Sequence, residues 1–362
     1  MKSVSFLTSA FWALASLQPH GASASPSNGT HSGCCRNPLV RHEWRQLSLE
    51  QRLDYIRSVK CLMALPSEGN DLWPGAKSRF DDLQGMHIYM TQEVHFNTSH
   101  SWHRWMLYLY ESELRNKCSY KGALPYWDVS LDNTAETFLS SPVFDNVYGV
   151  GGNGPYIEDV SDKEQFPVQK PIVIPERSGG GCVQEGPFAN ITVPMGLGSS
   201  VESTPHCLRR DFSLPIITNA LSNEVIDRTV FASSFSEFNH HIQGYSMQVS
   251  GMTLHVGLHL GIGGAVGDVA DMYASPGDPV FYFIHGALDK IWNDWQRRDW
   301  PAHKTDIGGP DVMYGHPFNY FGDVAYENIT LQYQLWFPNF GRDMPISDMM
   351  DIYGGLFCYE YK

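Results

Sequence analysis

The stretch that decides the fold is Asp278-Pro-Val-Phe-Tyr-Phe-Ile-His285-Gly-Ala-Leu-Asp289-Lys-Ile-Trp292, an apolar and aromatic run with one histidine at its centre. It predicts a helix at about residues 283–297, with Asp278-Pro279 as its cap and the proline at the first helical position. Asp289 lies one helical turn beyond His285, so its carboxylate can orient a ligand or anchor the helix. A single histidine in such a helix is usually a core residue whose nitrogens are hydrogen-bonded. Whether His285 is a metal ligand therefore depends on the other histidines that could join it.

Five further histidines supply those partners. Together the six fall into two groups, His87, His95 and His103 in the first and His255, His259 and His285 in the second. His255 and His259 are four residues apart, which places both rings on one face of a helix. Imidazole nitrogen favours copper or zinc over magnesium or calcium. Six imidazoles in two groups of three predict a pair of adjacent metal ions.

The remaining pattern is mostly helical. Ser48-Leu49-Glu50-Gln51 forms a capping box before a helix that runs to about Met63. Its predicted apolar stripe is Leu49, Leu53, Ile56 and Leu62. Further helices are predicted at 79–95, 101–116, 219–230 and 235–242, and one through His255 and His259. Residues 130–215, rich in glycine, proline and serine, predict a long looped insertion, and 325–362 predict strands or loops packed over a helical bundle.

Composition and the amino terminus indicate a secreted globular protein. The 362 residues are 42% hydrophobic and 18% charged, and no proline- or serine-rich linker divides them, so we expect one domain over 25–362. Lys2, the apolar stretch Val4–Leu17 and Ala22-Ser23-Ala24 predict a secretory signal peptide over 1–24. A formal net charge of -14 argues against nucleic acid and anionic membranes as partners and leaves a small-molecule substrate. The oligomeric state is open.

Seven cysteines and four glycosylation sequons agree with an oxidising compartment. None of the cysteines forms a CxxC zinc knuckle, and an odd number leaves one unpaired. The sequons lie at Asn28, Asn97, Asn190 and Asn328. Asn97 falls between two proposed ligands, where a glycan would crowd the site, so we expect glycosylation at Asn28, Asn190 and Asn328 only.

At these motifs the sequence resembles the tyrosinase family, the type-3 copper proteins that include catechol oxidases and haemocyanins. The resemblance is carried by the 278–292 stretch, by His255-Val-Gly-Leu-His259 with Ile262-Gly263-Gly264, and by Trp102-His103-Arg104 with Tyr120-Lys-Gly-Ala-Leu-Pro-Tyr-Trp127-Asp128. It covers roughly residues 35–300 and is similar to the fungal secreted branch. It implies a mainly α fold, with long loops and a few short strands, in which a four-helix bundle holds two metals.

The resemblance also implies ligands, disulfides and chemistry. His87, His95 and His103 would hold the first copper, and His255, His259 and His285 the second. The copper pair of such proteins binds dioxygen and oxidises phenols or diphenols to quinones. The implied disulfides are Cys35–Cys358, Cys61–Cys118 and Cys182–Cys207, which leaves Cys34 over. The predicted function is a secreted copper oxidase of a small aromatic metabolite.

Departures from the family pattern keep alternatives open. Ser99-His100-Ser101-Trp102 replaces the usual Phe-Leu-x-Trp, and the interval from His95 to His103 is one residue short. Val256 stands where an asparagine is associated with phenol hydroxylation, so diphenol oxidation is the stronger prediction. His100 is a candidate catalytic residue, with a ligand or a packing role as alternatives. The altered first site and the additional His100 also fit a resemblance to cyclopenases, which suggests a zinc-dependent, non-oxidative lyase of alkaloid biosynthesis that forms a quinolone. A non-catalytic oxygen carrier is the third hypothesis.

Overall fold

A computed structural model describes residues 35–95, 97–160, 172–312 and 325–362. The predicted signal peptide, Asn28 and Cys34 lie outside these residues. The described residues all belong to one compact unit, and none of their helices is long and apolar enough to cross a membrane.

Helices dominate the described part of the chain. The α-helices are α1 Leu49–Ala64, α2 Arg79–Val94, α3 Ser99–Cys118, α4 Ala135–Leu139, α5 Leu214–Ala220, α6 Asn223–Val230, α7 Phe235–Gln243, α8 Leu254–Gly263, α9 Val280–Arg298 and α10 Trp300–His303. Short 3-10 helices occupy Trp44–Gln46, Val129–Asp132, Pro142–Phe144, Val249–Gly251, Asp268–Ala270, Ser275–Gly277 and Ile346–Met349. The strands are β1 Leu39–Arg41, β2 Thr192–Val193, β3 His206–Cys207, β4 Gln334–Leu335, β5 Met344–Pro345 and β6 Tyr359–Tyr361.

Four helices form the bundle at the centre of the molecule. Helix α3 packs against α2 and α9, and α8 packs against α9. Phe281, Tyr282 and Phe283, consecutive residues of α9, are almost wholly buried, so the first turn of this helix is enclosed on every side. The prediction of a mainly α fold with a four-helix bundle is confirmed.

Helix α1 begins as predicted, but its buried face is shifted from the predicted stripe. The Ser48 hydroxyl accepts from the Gln51 amide, and the Gln51 side chain accepts from the Ser48 amide, which completes the capping box. Leu49 and Leu53 were predicted in the buried stripe, but they are 51% and 45% exposed. The buried face is formed by the predicted Ile56 and Leu62 together with Tyr55 and Val59. Leu49 and Leu53 lie beside this face, because Tyr55 and Val59 shift its centre away from them.

Three predicted helix limits were wrong. The predicted helix 219–230 is two helices, because the Ser222 hydroxyl caps a new start by accepting from the Val225 amide. Helix α3 begins at Ser99 rather than at residue 101, so His100 lies in its first turn and not before the helix. Helix α9 begins at Val280 rather than at about residue 283, and Pro279 is its N-cap rather than its first residue.

The irregular regions are held by disulfides and short strand pairs. The structure contains Cys35–Cys358, Cys61–Cys118 and Cys182–Cys207, the three pairs that the resemblance implies. The strand pairs are β1 with β6, which is parallel, and β2 with β3 and β4 with β5, which are antiparallel. Disulfides persist in oxidising compartments, so three of them fit passage through the secretory pathway.

Candidate metal centre

The first histidine triad is assembled by α2 and α3. His87 lies inside α2, His95 is the residue directly after it, and His103 lies in the second turn of α3. One nitrogen from each ring can be chosen so that all three lie within 4.8 Å of one another. The shorter interval between His95 and His103 therefore does not remove His95 from the group, because this residue has left the helix and turns back toward it.

The second triad is assembled by α8 and α9. His255 and His259 lie one turn apart on α8, and His285 faces them from α9, again with three nitrogens within 4.8 Å of one another. The Nε2 atoms of His259 and His285 are 3.3 Å apart. Two imidazole nitrogens aimed at a common point are arranged as two ligands of one ion.

The two triads face each other across the bundle. The rings of His103 and His285 stack with their centroids 4.0 Å apart, which joins one triad to the other. Phe281 lies beneath both groups, with its ring 4.2 Å from His285 and 5.4 Å from His87. The six sequence-predicted histidines are thus brought into one cluster, in which all but the partly exposed His95 and His259 are buried.

Backbone carbonyl groups orient most of these rings. The Nδ1–H groups of His87, His95, His103 and His259 donate to the carbonyl oxygens of Tyr273, Thr91, Ser99 and Val269, at 2.6, 2.8, 2.8 and 2.6 Å respectively. A carbonyl oxygen only accepts, so each Nε2 keeps its lone pair for a metal. The Nε2 atoms of His87 and His103 are buried and have no hydrogen-bond partner. Buried nitrogens of this kind fit metal coordination.

Burial keeps the cluster uncharged. Loss of solvation lowers the pKa of all six rings below the usual 6.5, and that of His95 and of His259 falls to about 4. The neighbouring imidazoles add a smaller effect in the same direction at His87 and His285. Neutral imidazole is the form that binds a metal, so the site is in its binding state at neutral pH.

Asp289 anchors its helix and does not orient a histidine. It accepts from the Arg104 guanidinium at 2.5 Å and from the Tyr359 hydroxyl at 2.8 Å, and Arg41 lies 3.5 Å away. Burial raises the pKa of Asp289, but Arg104 and Arg41 outweigh it and the net shift is downward. Of the two roles predicted for this carboxylate, the contacts support the anchoring of α9.

His100 lies outside both triads. Its Nε2 is 3.1 Å from the Asn239 side-chain oxygen, and its ring packs against Phe238 and Trp292 at 5.2 and 5.6 Å. Burial lowers the pKa of His100 to about 4. These contacts support the packing alternative rather than a ligand or an acid–base catalyst. They also remove His100 as a feature that favours the zinc hypothesis.

A cavity opens beside the second triad, and sequence reasoning missed most of its wall. It is lined by His95, Gln243, Met247, His255, Val256, His259, Leu260, Ala270, Met272 and Ser275. Gln243 precedes His255 by twelve residues, across an irregular loop, so no periodic spacing connects them. Met247 and Met272 also lie in connections, where hydrophobic periodicity gives no signal.

The sequons within the described residues differ in accessibility. Asn97 is 6% exposed, and its side-chain amide donates to the Pro310 carbonyl oxygen at 2.8 Å. A glycan on that nitrogen would displace this bond, which agrees with an unmodified Asn97. Asn190 and Asn328 are exposed, so glycosylation there remains a prediction.

Comparison with known proteins gives the assignment. A family model described as the common central domain of tyrosinase matches residues 77–298, which include both triads. The chain belongs to the tyrosinase family. Proteins of this family bind two copper ions, and the two triads fit such a dinuclear site.

Fungal proteins are among the relatives of this tyrosinase-family enzyme. Tyrosinase P of Aspergillus terreus is 31% identical over 344 residues, which cover 90% of this chain and 93% of that protein. The N-acetyl-6-hydroxytryptophan oxidase ivoB of Emericella nidulans is 33% identical over 354 residues, with the same two coverages. The structure of a mutant polyphenol oxidase from Thermothelomyces thermophila superposes with a TM-score of 0.76 at 30% identity, covering 90% of this chain and 89% of that one.

Proposed function

We propose that this protein is a copper-dependent oxidase that uses dioxygen to oxidise a small aromatic diphenol. The observation that carries the proposal is the meeting of two neutral histidine triads, joined by the stacked rings of His103 and His285 at 4.0 Å. Copper bound there supplies the exchange of electrons with dioxygen that oxidation of the phenol requires. The names of the two fungal relatives, a tyrosinase and an oxidase of a hydroxylated tryptophan, support an aromatic metabolite as substrate.

The cavity wall suits a flat aromatic ring. Val256, Leu260 and Met272 supply apolar surface beside His255 and His259, and burial of that surface against a ring is favourable. Ser275 adds a hydroxyl that can accept or donate a hydrogen bond at the rim of the ring. A substrate of one or two rings with hydroxyl groups directed at the histidines matches this distribution.

The neighbour of His255 favours diphenols over monophenols. Val256 lines the cavity directly after this histidine, and its side chain can neither accept a proton nor hold a water molecule. A diphenol loses two electrons and its two hydroxyl protons on oxidation to the quinone, whereas a monophenol must first be deprotonated at its one hydroxyl group and gain an oxygen atom on the ring. The protein therefore performs the first reaction in preference to the second. Three disulfides and exposed sequons support action in the secretory pathway or outside the cell.

The test combines metal content with oxygen uptake. Protein secreted from a eukaryotic host supplied with both copper and zinc is expected to contain about two coppers per chain by elemental mass spectrometry. It should then consume oxygen with catechol and much less with phenol. Retention of zinc in place of copper, with no oxygen uptake, would reject the oxidase and favour a non-oxidative enzyme. Two coppers that bind oxygen without turnover would indicate a carrier.

A further inference from the structure

His255 differs from the other well-oriented ligands in what holds its ring. Four rings of the cluster donate their Nδ1–H to a backbone carbonyl oxygen, but that of His255 donates to the side-chain oxygen of Gln243 at 2.5 Å. A backbone carbonyl oxygen can only accept a hydrogen bond. A glutamine amide has an acceptor end and a donor end that can exchange places by rotation, so something must fix which end faces His255.

A chain of buried amides extends from Gln243 and fixes that choice. The Gln243 amide nitrogen donates to the Asn239 oxygen at 3.4 Å, and the Asn239 nitrogen donates to the Asn97 oxygen at 2.9 Å. The Asn97 nitrogen donates to the Pro310 backbone carbonyl at 2.8 Å. Asn97, Asn239 and Gln243 are 6%, 2% and 4% exposed, so water has little access to replace these bonds.

The donor-to-acceptor direction along these three amides is set at Asn97, the amide farthest from His255. Because the Pro310 carbonyl oxygen can only accept, Asn97 must present its nitrogen there and its oxygen to Asn239. Asn239 must then present its nitrogen to Asn97 and its oxygen to Gln243. Gln243 in turn presents its oxygen to His255, which requires the hydrogen of that ring on Nδ1. Each reversal would place two acceptors or two donors together in a buried site, which is costly.

We propose that Gln243 is a positioning residue for the second metal, and that Asn239 and Asn97 form with it a hydrogen-bond relay that holds His255 in the tautomer with Nε2 free. The inference rests on the proposed metal centre and adds to it a distinct control of one ligand. His100 joins the relay as a side branch, since its Nε2–H donates to the Asn239 oxygen. That gives His100 a role behind the site rather than in it.

The helix geometry makes the relay possible. Asn239 and Gln243 are four residues apart on α7, so their side chains share one face, which is turned toward α3 and α8. Gln243 is the last residue of α7 and Gly244 follows it with a φ of 113°. The polypeptide thus leaves α7 immediately after Gln243.

The first test reads the tautomer in metal-free protein. Nitrogen-15 NMR of histidine-labelled protein, with His255 assigned by comparison with His255→Gln, is expected to show Nδ1–H. Gln243→Met removes the acceptor at similar size and should give a mixture of tautomers. Gln243→Glu restores an acceptor and should restore Nδ1–H. A wild-type His255 protonated on Nε2, or an unchanged signal in Gln243→Met, would overturn the relay.

The second test reads metal retention. Loss of a partner that orients a metal ligand typically weakens binding roughly 10- to 100-fold. In Gln243→Met one metal should be released to a chelator about 10- to 100-fold more readily, while the other, held by carbonyl-oriented histidines, is retained. Gln243→Glu should retain both. Equal retention of both metals by Gln243→Met, or equal loss of both, would contradict the proposal.

Two further variants separate the relay from general stability. Asn239→Leu keeps a similar side-chain size but has no oxygen to accept from the Gln243 amide nitrogen, so it should reproduce the selective loss of one metal if Gln243→Met does not fold. Gln296→Met replaces another buried glutamine, which contacts Arg104 and Met350. It should lower the melting temperature and leave both metals in place. A wild-type protein that fails to bind two metals would refute the proposed function, while the tautomer measurement still tests the relay.

Discussion

Asp289→Asn is expected to destabilise the fold far more than the same change at a nearby surface position. Asp289 is the shared negative partner of Arg104 and Arg41, whose side chains are 0% and 1% exposed. The asparagine keeps one acceptor but brings a nitrogen donor toward groups that also donate. Removing one member of a buried ion pair typically costs about 3–5 kcal/mol, because the remaining charge is left without compensation.

The assay is thermal unfolding, with Asp294→Asn as the matched control. An entropy of about 2.1 cal/mol/K per residue gives roughly 0.7 kcal/mol per degree for about 330 residues, so Asp289→Asn should lower the melting temperature by about 4–7 °C. Asp294 lies on the same helix and pairs with Lys290 at the surface, with a side chain 39% exposed. Breaking that pair should cost about 1 kcal/mol or less. A shift for Asp289→Asn no larger than that of the control would refute the anchoring role.

Two further predictions concern the histidines. His259→Ala should lower the metal content from two ions to about one per chain and abolish oxygen uptake. The control is His303→Ala, which changes a histidine stacked on Trp295 outside the cluster and should keep both metals. Two metals and full activity in His259→Ala would contradict the ligand assignment. Because burial lowers the pKa of His100 from 6.5 to about 4, the unfolded chain takes up this proton first, so the stability contribution of His100 is complete above pH 6.5 and is lost as the pH falls toward 4. The metal-free protein loses stability between pH 7 and pH 5, and denaturant unfolding should show that this loss is about 2 kcal/mol smaller in His100→Gln than in the wild type. Equal losses in His100→Gln and the wild type would show that His100 does not resist protonation.

Local patterns predicted the helices and the two histidine groups because helical periodicity and ligand spacing depend on residues that are close together in the sequence. His255 and His259 share one face of α8, and the capping box at Ser48 starts α1 where expected. The limits of α5 and α6 were missed because a single serine cap divides an otherwise continuous apolar pattern. Periodicity locates a helical segment better than it locates the break within one.

The roles that the sequence left open or overlooked depend on contacts between residues that are distant in sequence. Asp289 meets Arg104, which precedes it by 185 residues, and His100 meets Asn239, which follows it by 139. No spacing rule connects such pairs, so the sequence left two roles open for Asp289 and three for His100. Gln243 was overlooked for the same reason, since its link to His255 crosses an irregular loop. Long-range pairing of polar side chains is decided by the packed fold and not by any local pattern.

The anchoring of α9 by β6 has a consequence for the order in which the protein can mature. His285 lies on α9, yet the Tyr359 hydroxyl that holds Asp289 follows that aspartate by 70 residues. The parallel pairing of β1 with β6 and the disulfide from Cys35 to Cys358 close the same region over 323 residues. While the ribosome is still synthesising this region, the earlier helices have all their histidines but lack the contacts that fix the last one. Metal capture at the complete centre is therefore an event that follows synthesis of residue 359.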